Sequence, residues 1–218
     1  MKKSIIETKI YQVTMKISSL LWIGCLWMFC SLPLVTAGAS TTALYRLLFN
    51  LRRDGRCSAP DFYQEFRSNF KSGSLIWLVQ VLLLGLIVGM FFLSYSITQE
   101  AVKIALIGIA LVALLVWLVF GIYGFALNSY FENTLGNTLK NAVFMAGENR
   151  KITMIGIILT MLPLMVFFIS WYIFLMTLVF WIVFYPGLAA YLITGQLGPV
   201  FRKLANPSGE ELPEETEE

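Results

Sequence analysis

The sequence predicts an all-α, polytopic helical membrane protein: about five transmembrane helices plus cytoplasmic or interfacial amphipathic helices. Three observations carry this reading. Gly73 to Ile97, Ile104 to Leu127 and Ile152 to Phe201 contain no charged residue. Charged residues make up only 13% of the 218 positions, against about 25% in a soluble domain. The segments between the uncharged runs repeat apolar residues at helical spacing.

Each element follows from length and pattern. A span needs about 20 apolar residues to cross about 30 Å of hydrocarbon. The expected spans are therefore 17–37, 73–97, 104–127, 152–169 and 173–195, in one membrane-embedded domain over 17–203. Residues 1–16 form an N-terminal segment. Residues 204–218 form an acidic tail, too polar and proline-rich to bury surface and expected to be disordered. Lys2, Lys3 and Ala37-Gly38-Ala39 mimic a cleaved signal peptide. Pro33 sits awkwardly in such a peptide, however, and cleavage would leave the bases of the next loop outside. The segment is read as a retained span.

Ser31 to Arg46 is the most distinctive stretch. Pro33 breaks the first apolar run, and Ala37, Gly38, Ala39 and Ser40 pack small residues into one bend. Leu44, Leu47, Leu48 and Leu51 then recur at i, i+3, i+4 and i+7, with Arg46, Asn50 and Arg53 on the other face. That pattern predicts an interfacial or partly re-entrant helix over 38–51, with a proline-kinked continuation of the first span as the alternative.

Ser58-Ala59-Pro60-Asp61 is a capping box opening a second amphipathic helix, whose Phe62, Phe66 and Phe70 form a stripe. A third amphipathic stretch runs over 129–146. The chain thus places an amphipathic helix before a membrane hairpin, twice. Gly85 and Gly89 form a Gly-x-x-x-Gly pair expected to let another helix approach. Pro163 and Pro186 are expected to kink the last two spans, with Ser170-Trp171-Tyr172 as the turn between them.

Basic residues set the expected orientation. With five spans, one side carries eleven Lys and Arg and the other five. The positive-inside rule then places the C-terminus in the cytoplasm and the N-terminus outside, in a bacterial cell membrane. Lys2, Lys3, Lys9 and Lys16 oppose that assignment.

The composition narrows function by exclusion. The chain has no His, and Cys25, Cys30 and Cys57 match neither a disulfide framework nor a zinc spacing. Phosphate-binding, dinucleotide and serine-nucleophile motifs are absent, so no catalytic, metal or cofactor residue is assigned and no enzyme is expected. The four later spans lack Asp, Glu, Lys and Arg, which argues against a proton-driven carrier. Gln80 is read as a helix–helix hydrogen-bonding residue. Charged groups gather at the span boundaries, where Glu132 is a natural partner for Arg46 or Lys71. The candidate structural and functional set is Pro33, Gly38, Ser40, Thr41, Arg46, Lys71, Glu132, Asn133 and Lys140.

Three motifs carry a resemblance: Ser31 through Tyr45; Asp61-Phe62 with Phe66, Asn69-Phe70-Lys71 and Trp77-Leu78; and Phe131 through Leu135 with Leu139 through Ala142. Over most of 15–203 the chain resembles the YesL-like family of predicted bacterial integral membrane proteins, a domain of unknown function. The resemblance implies a setting among carbohydrate-binding proteins, sugar ABC transporters and polysaccharide-degrading enzymes. It assigns no ligand residues. The expected role is a non-catalytic accessory to carbohydrate import, with the bilayer and sugar ABC transporter components as partners. The chain could also self-associate, and no nucleic-acid partner is expected. The alternative is a small, self-contained oligomeric transporter or channel for neutral solutes.

Overall fold

A proline decides where the first helix stops. Helix α1 (Lys2–Ser31) ends two residues before Pro33, which cannot donate to the helical ladder. A single 3-10 turn over Leu34–Thr36 follows, and α2 (Ala37–Arg53) starts at once. The first span therefore ends at Ser31, not at residue 37 as expected. The computed structural model describes residues 2–55, 57–131 and 133–206, with side chains from Thr14 onward. The greater part of the expected acidic tail, and Glu132, lie outside the described residues.

The turn satisfies its own backbone. The Thr36 hydroxyl donates to the carbonyls of Cys30 and Pro33, and the Thr36 N–H donates to the Pro33 carbonyl at 2.8 Å. Ser40, Thr41 and Thr42 each donate to the carbonyl four residues earlier. Irregular backbone at membrane depth needs this kind of internal pairing, because hydrocarbon offers none.

Helices α1 and α2 form an antiparallel hairpin. Trp27 Nε1 donates to Thr41 Oγ1 at 3.1 Å, and further from the tip Ser19 meets Cys57 beyond the end of α2. Gly55, at φ 69°, turns the chain out of α2. The amphipathic pattern expected over 38–51 accounts for only part of what is buried. The leucines at 44, 47, 48 and 51 are buried as their spacing requires, but Ser40, Thr42, Ala43, Tyr45 and Phe49 are buried too. Helix α2 is enclosed by α1, α3, α4, α5 and α9.

Beyond α2, the Ser58–Asp61 capping box opens α3 (Ala59–Ser68) as expected. The Phe62, Phe66 and Phe70 rings pack in series, although Phe70 already belongs to α4 (Phe70–Ser96). Helix α5 (Glu100–Tyr130) returns along α4. Gln80 Nε2 donates to the Trp117 carbonyl at 3.3 Å, and Trp117 Nε1 donates to the Gln80 carbonyl at 2.9 Å. Helix α6 is Leu135–Glu148, started by Thr134, so Ser129 and Tyr130 belong to α5 and Phe131 to the linker.

Helix α7 (Arg150–Ile169) packs against α5, where Tyr123 Oη meets Thr153 Oγ1 at 2.9 Å. Ser170 caps the short α8 (Trp171–Met176), at the expected turn. A π turn over Phe180–Phe184 leads into α9 (Tyr185–Ala205). Pro186 has no N–H to continue the regular ladder, and the π turn stands just before it. The last span is thus displaced toward the C-terminus relative to the expected 173–195.

Among the described residues, five helices are long and apolar enough to cross a membrane, and the chain is an integral membrane protein. Helix α1 meets the entry to α9 at one close crossing: a methyl group on Gly24 would meet the Val183 carbonyl, and one on Gly187 would approach the Leu20 carbonyl and the Gly24 Cα.

Candidate functional site

The hairpin helps to place polar side chains at the end of the bundle where α4 starts and α5 finishes. Thr42 and Arg46 are four residues apart on α2, so they share one face. Glu65 and Ser68 come from α3, Ser72 from the first turn of α4, and Asn128 and Ser129 from the last turn of α5. With the linker residues Phe131, Asn133 and Thr134, all of these except the fully buried Thr42 border a cleft of about 640 Å³.

Hydrogen bonds organise the cleft floor. Asn128 Nδ2 donates to Ser72 Oγ at 3.1 Å and to Thr42 Oγ1 at 3.5 Å. Arg46 Nη1 donates to the Ser129 carbonyl at 3.2 Å, and its Nε lies 3.5 Å from Glu65 Oε1. Asn69 Nδ2 donates to the other Glu65 oxygen at 3.1 Å. The lining combines amides, hydroxyls and one cation matched by one anion.

Behind this floor the interior is apolar. Ile76, Phe120, Tyr123 and Leu47 are at most 1% exposed. A second cavity of about 940 Å³ adjoins the cleft, shares Phe131 and Asn133 with it, and extends between α6 and the end of α9 to Glu148 and Lys203.

The close approach that shapes the site is between α2 and α4. A methyl group on Gly73 would stand 2.8 Å from the Gly38 carbonyl oxygen, and one on Gly38 would overlap the Gly73 carbonyl and touch Trp77. Gly85 and Gly89, expected to permit such packing, have open space on their flank. Farther along α2, Arg52 donates to the Tyr191 carbonyl at 2.6 Å and lies 3.8 Å from the centre of the Tyr191 ring. Gly195 leaves room for its guanidinium.

The candidate residues separate into groups. Arg46 and Asn133 line the cleft. Gly38, Ser40 and Thr41 build the hairpin beside it, and Pro33 begins its tip. Lys71 faces a different, apolar groove, and Lys140 is exposed on α6. Glu132 lies outside the described residues, and the partner found for Arg46 is Glu65. Sequence reasoning missed Glu65, Asn128 and Arg52. The Glu65 pairing spans a loop and two helices, so no local spacing signals it. Asn128 had a signal: it is an amide at the end of an otherwise apolar helix.

Titration is perturbed in the loop between α2 and α3. Burial pushes the Cys57 thiol up, with Ser19 hydrogen bonding opposing and the Asp61 charge adding to the rise. Hydrogen bonding from Arg53 holds the Asp54 carboxyl below its ordinary value.

Comparison with known proteins falls on this same region. Residues 20–95 match the family model described as protein of unknown function, DUF624. The match contains the C-terminal part of α1, the hairpin tip, α2, α3 and nearly all of α4. It agrees with the resemblance carried by Ser31–Tyr45 and by the Asp61–Leu78 motifs, while the Phe131–Ala142 motif lies beyond it. The chain has no match among curated proteins or solved structures.

Proposed function

We propose that the protein is a non-catalytic accessory of carbohydrate import in a bacterial cell membrane, with the cleft and the C-terminus facing the cytoplasm and the N-terminus outside. The cleft carries this reading. Its amides, hydroxyls and internally matched Arg46–Glu65 pair, beside the Tyr130 and Phe131 rings, suit a neutral, hydroxyl-rich ligand. The apolar interior behind Asn128 supports engagement at one face over passage through the bundle.

Charge supports the orientation. Arg46, Arg67, Lys140, Arg150, Lys151, Arg202 and Lys203 gather at the cleft end. Lys103, near the start of α5, stands at the other end. That asymmetry follows the positive-inside rule, with the N-terminal lysines opposing it. Tyr63 on α3 and Val143 and Phe144 on α6 are exposed beside the cleft, and a sugar ABC transporter component would dock there.

The test is crosslinking and purification from native membranes, paired with solute flux in liposomes holding this protein alone. Recovery of transport subunits without autonomous flux is expected. Flux from the protein alone favours a self-contained carrier, and recovery of no transport component contradicts the accessory role.

A further inference from the structure

Where the hairpin tip meets α4, a groove of about 540 Å³ opens on the side of the bundle. Leu34 and Val35 form one wall, and Leu75, Trp77, Leu78 and Val81 the other. Lys71 stands at its end, in the first turn of α4. From Lys71 to Val81 the groove follows the helix for about 15 Å. The tip side chains Leu32, Leu34 and Val35 are 70%, 75% and 69% exposed. In an integral membrane protein such a surface faces hydrocarbon, so an occupant reaches the groove from the bilayer.

Two polar groups break the apolar lining. Lys71 is exposed and forms no ion pair among the described residues. Ser74, one turn deeper, has its hydroxyl sealed from solvent without a hydrogen-bond partner. A buried hydroxyl left unpaired costs about 1–3 kcal/mol. A cation at the boundary, an orphan donor one turn in and an apolar trough beyond them match the order of phosphate, ester carbonyl and acyl chain in a phospholipid.

We propose that this groove is a binding site for an anionic phospholipid. The Lys71 ammonium meets the phosphate, the Ser74 hydroxyl turns into the groove by rotation about χ1 and donates to an ester carbonyl, and an acyl chain lies along Trp77 and Leu78 between the tip and α4. A helix from another protein would cover the trough but leave the Lys71 charge unanswered.

The test is native mass spectrometry of the purified full chain after exchange with dioleoylphosphatidylglycerol or dioleoylphosphatidylcholine. Wild type should retain the anionic lipid preferentially. Lys71→Gln should reduce that retention about fivefold, the equivalent of about 1 kcal/mol for one basic residue at an anionic surface. Ser74→Ala should reduce retention of both lipids without lowering thermal stability, a pattern that a purely structural serine would not give. Lys103→Gln, at the other end of the bundle, should change nothing. Equal retention of the two lipids by wild type, or undiminished anionic-lipid retention by Lys71→Gln, would overturn the proposal.

Discussion

The α1–α2 hairpin and the α7–α9 hairpin both turn within a largely apolar stretch, yet they are held by different means. The first brings backbones together at Gly38 and Gly73, pairs its turn through Thr36, and encloses α2 among five other helices. The second turns through Ser170 and carries Phe167, Phe174, Phe180 and Trp181 in a chain of ring contacts, with α8 burying nothing. The polar cleft and the family match both fall on the first. Close backbone approach lets small polar residues meet in the interior, and large rings facing outward fill space against lipid instead.

The largest effects should come from crowding the first hairpin. Gly38→Ala or Gly73→Ala forces a methyl group into backbone and should destabilise the protein by about 1–3 kcal/mol or more, read as a lowered unfolding temperature in detergent. Gly85→Ala and Gly89→Ala meet open space and should change stability little. Equal losses at all four positions would remove the distinction between a packed and a lipid-facing glycine pair.

Next comes the cleft floor. Asn128→Ala removes the donor shared by Ser72 and Thr42 and should cost about 1–2 kcal/mol. At the second hairpin, Ser170→Ala removes an exposed cap and should cost about 0.5–1 kcal/mol. A larger loss at Ser170 would reverse the ranking of the two hairpins.

The sequence made the spans legible because uncharged length is a property of composition, and it made α3 legible because Ser58 and Asp61 are three residues apart. The helix after the bend was legible over 38–51, but its burial on several faces was not. Its leucines and Arg46, Asn50 and Arg53 form the pattern of a surface helix. Ser40 and Thr42 look solvated, but their hydroxyls bond to carbonyls of their own helix and so tolerate burial. Gly85 and Gly89 advertise packing by spacing alone, whereas Gly38 and Gly73 meet across a fold-dependent contact between two helices. The cleft was half visible: Arg46 and Asn133 stood out as boundary residues, but Glu65 and Asn128 reach them only when α3 and α5 converge.

The smallest effect concerns Cys57, which reports on the packing of the α2–α3 loop against α1. Its raised pKa means less thiolate near neutral pH, so maleimide labelling should be slow there and accelerate as pH rises. Ser19→Ala removes the hydrogen bond that lowers this pKa and should slow labelling further. Faster labelling at fixed pH would contradict the α1 contact.

The topology is tested most directly by membrane-impermeant thiol labelling of Lys16→Cys, Lys103→Cys and Asn206→Cys, each in a background lacking the native cysteines. With five spans, positions 16 and 103 should react from one side of the membrane and position 206 from the other. Labelling of positions 16 and 206 from the same side, opposite to 103, would contradict the five-span topology.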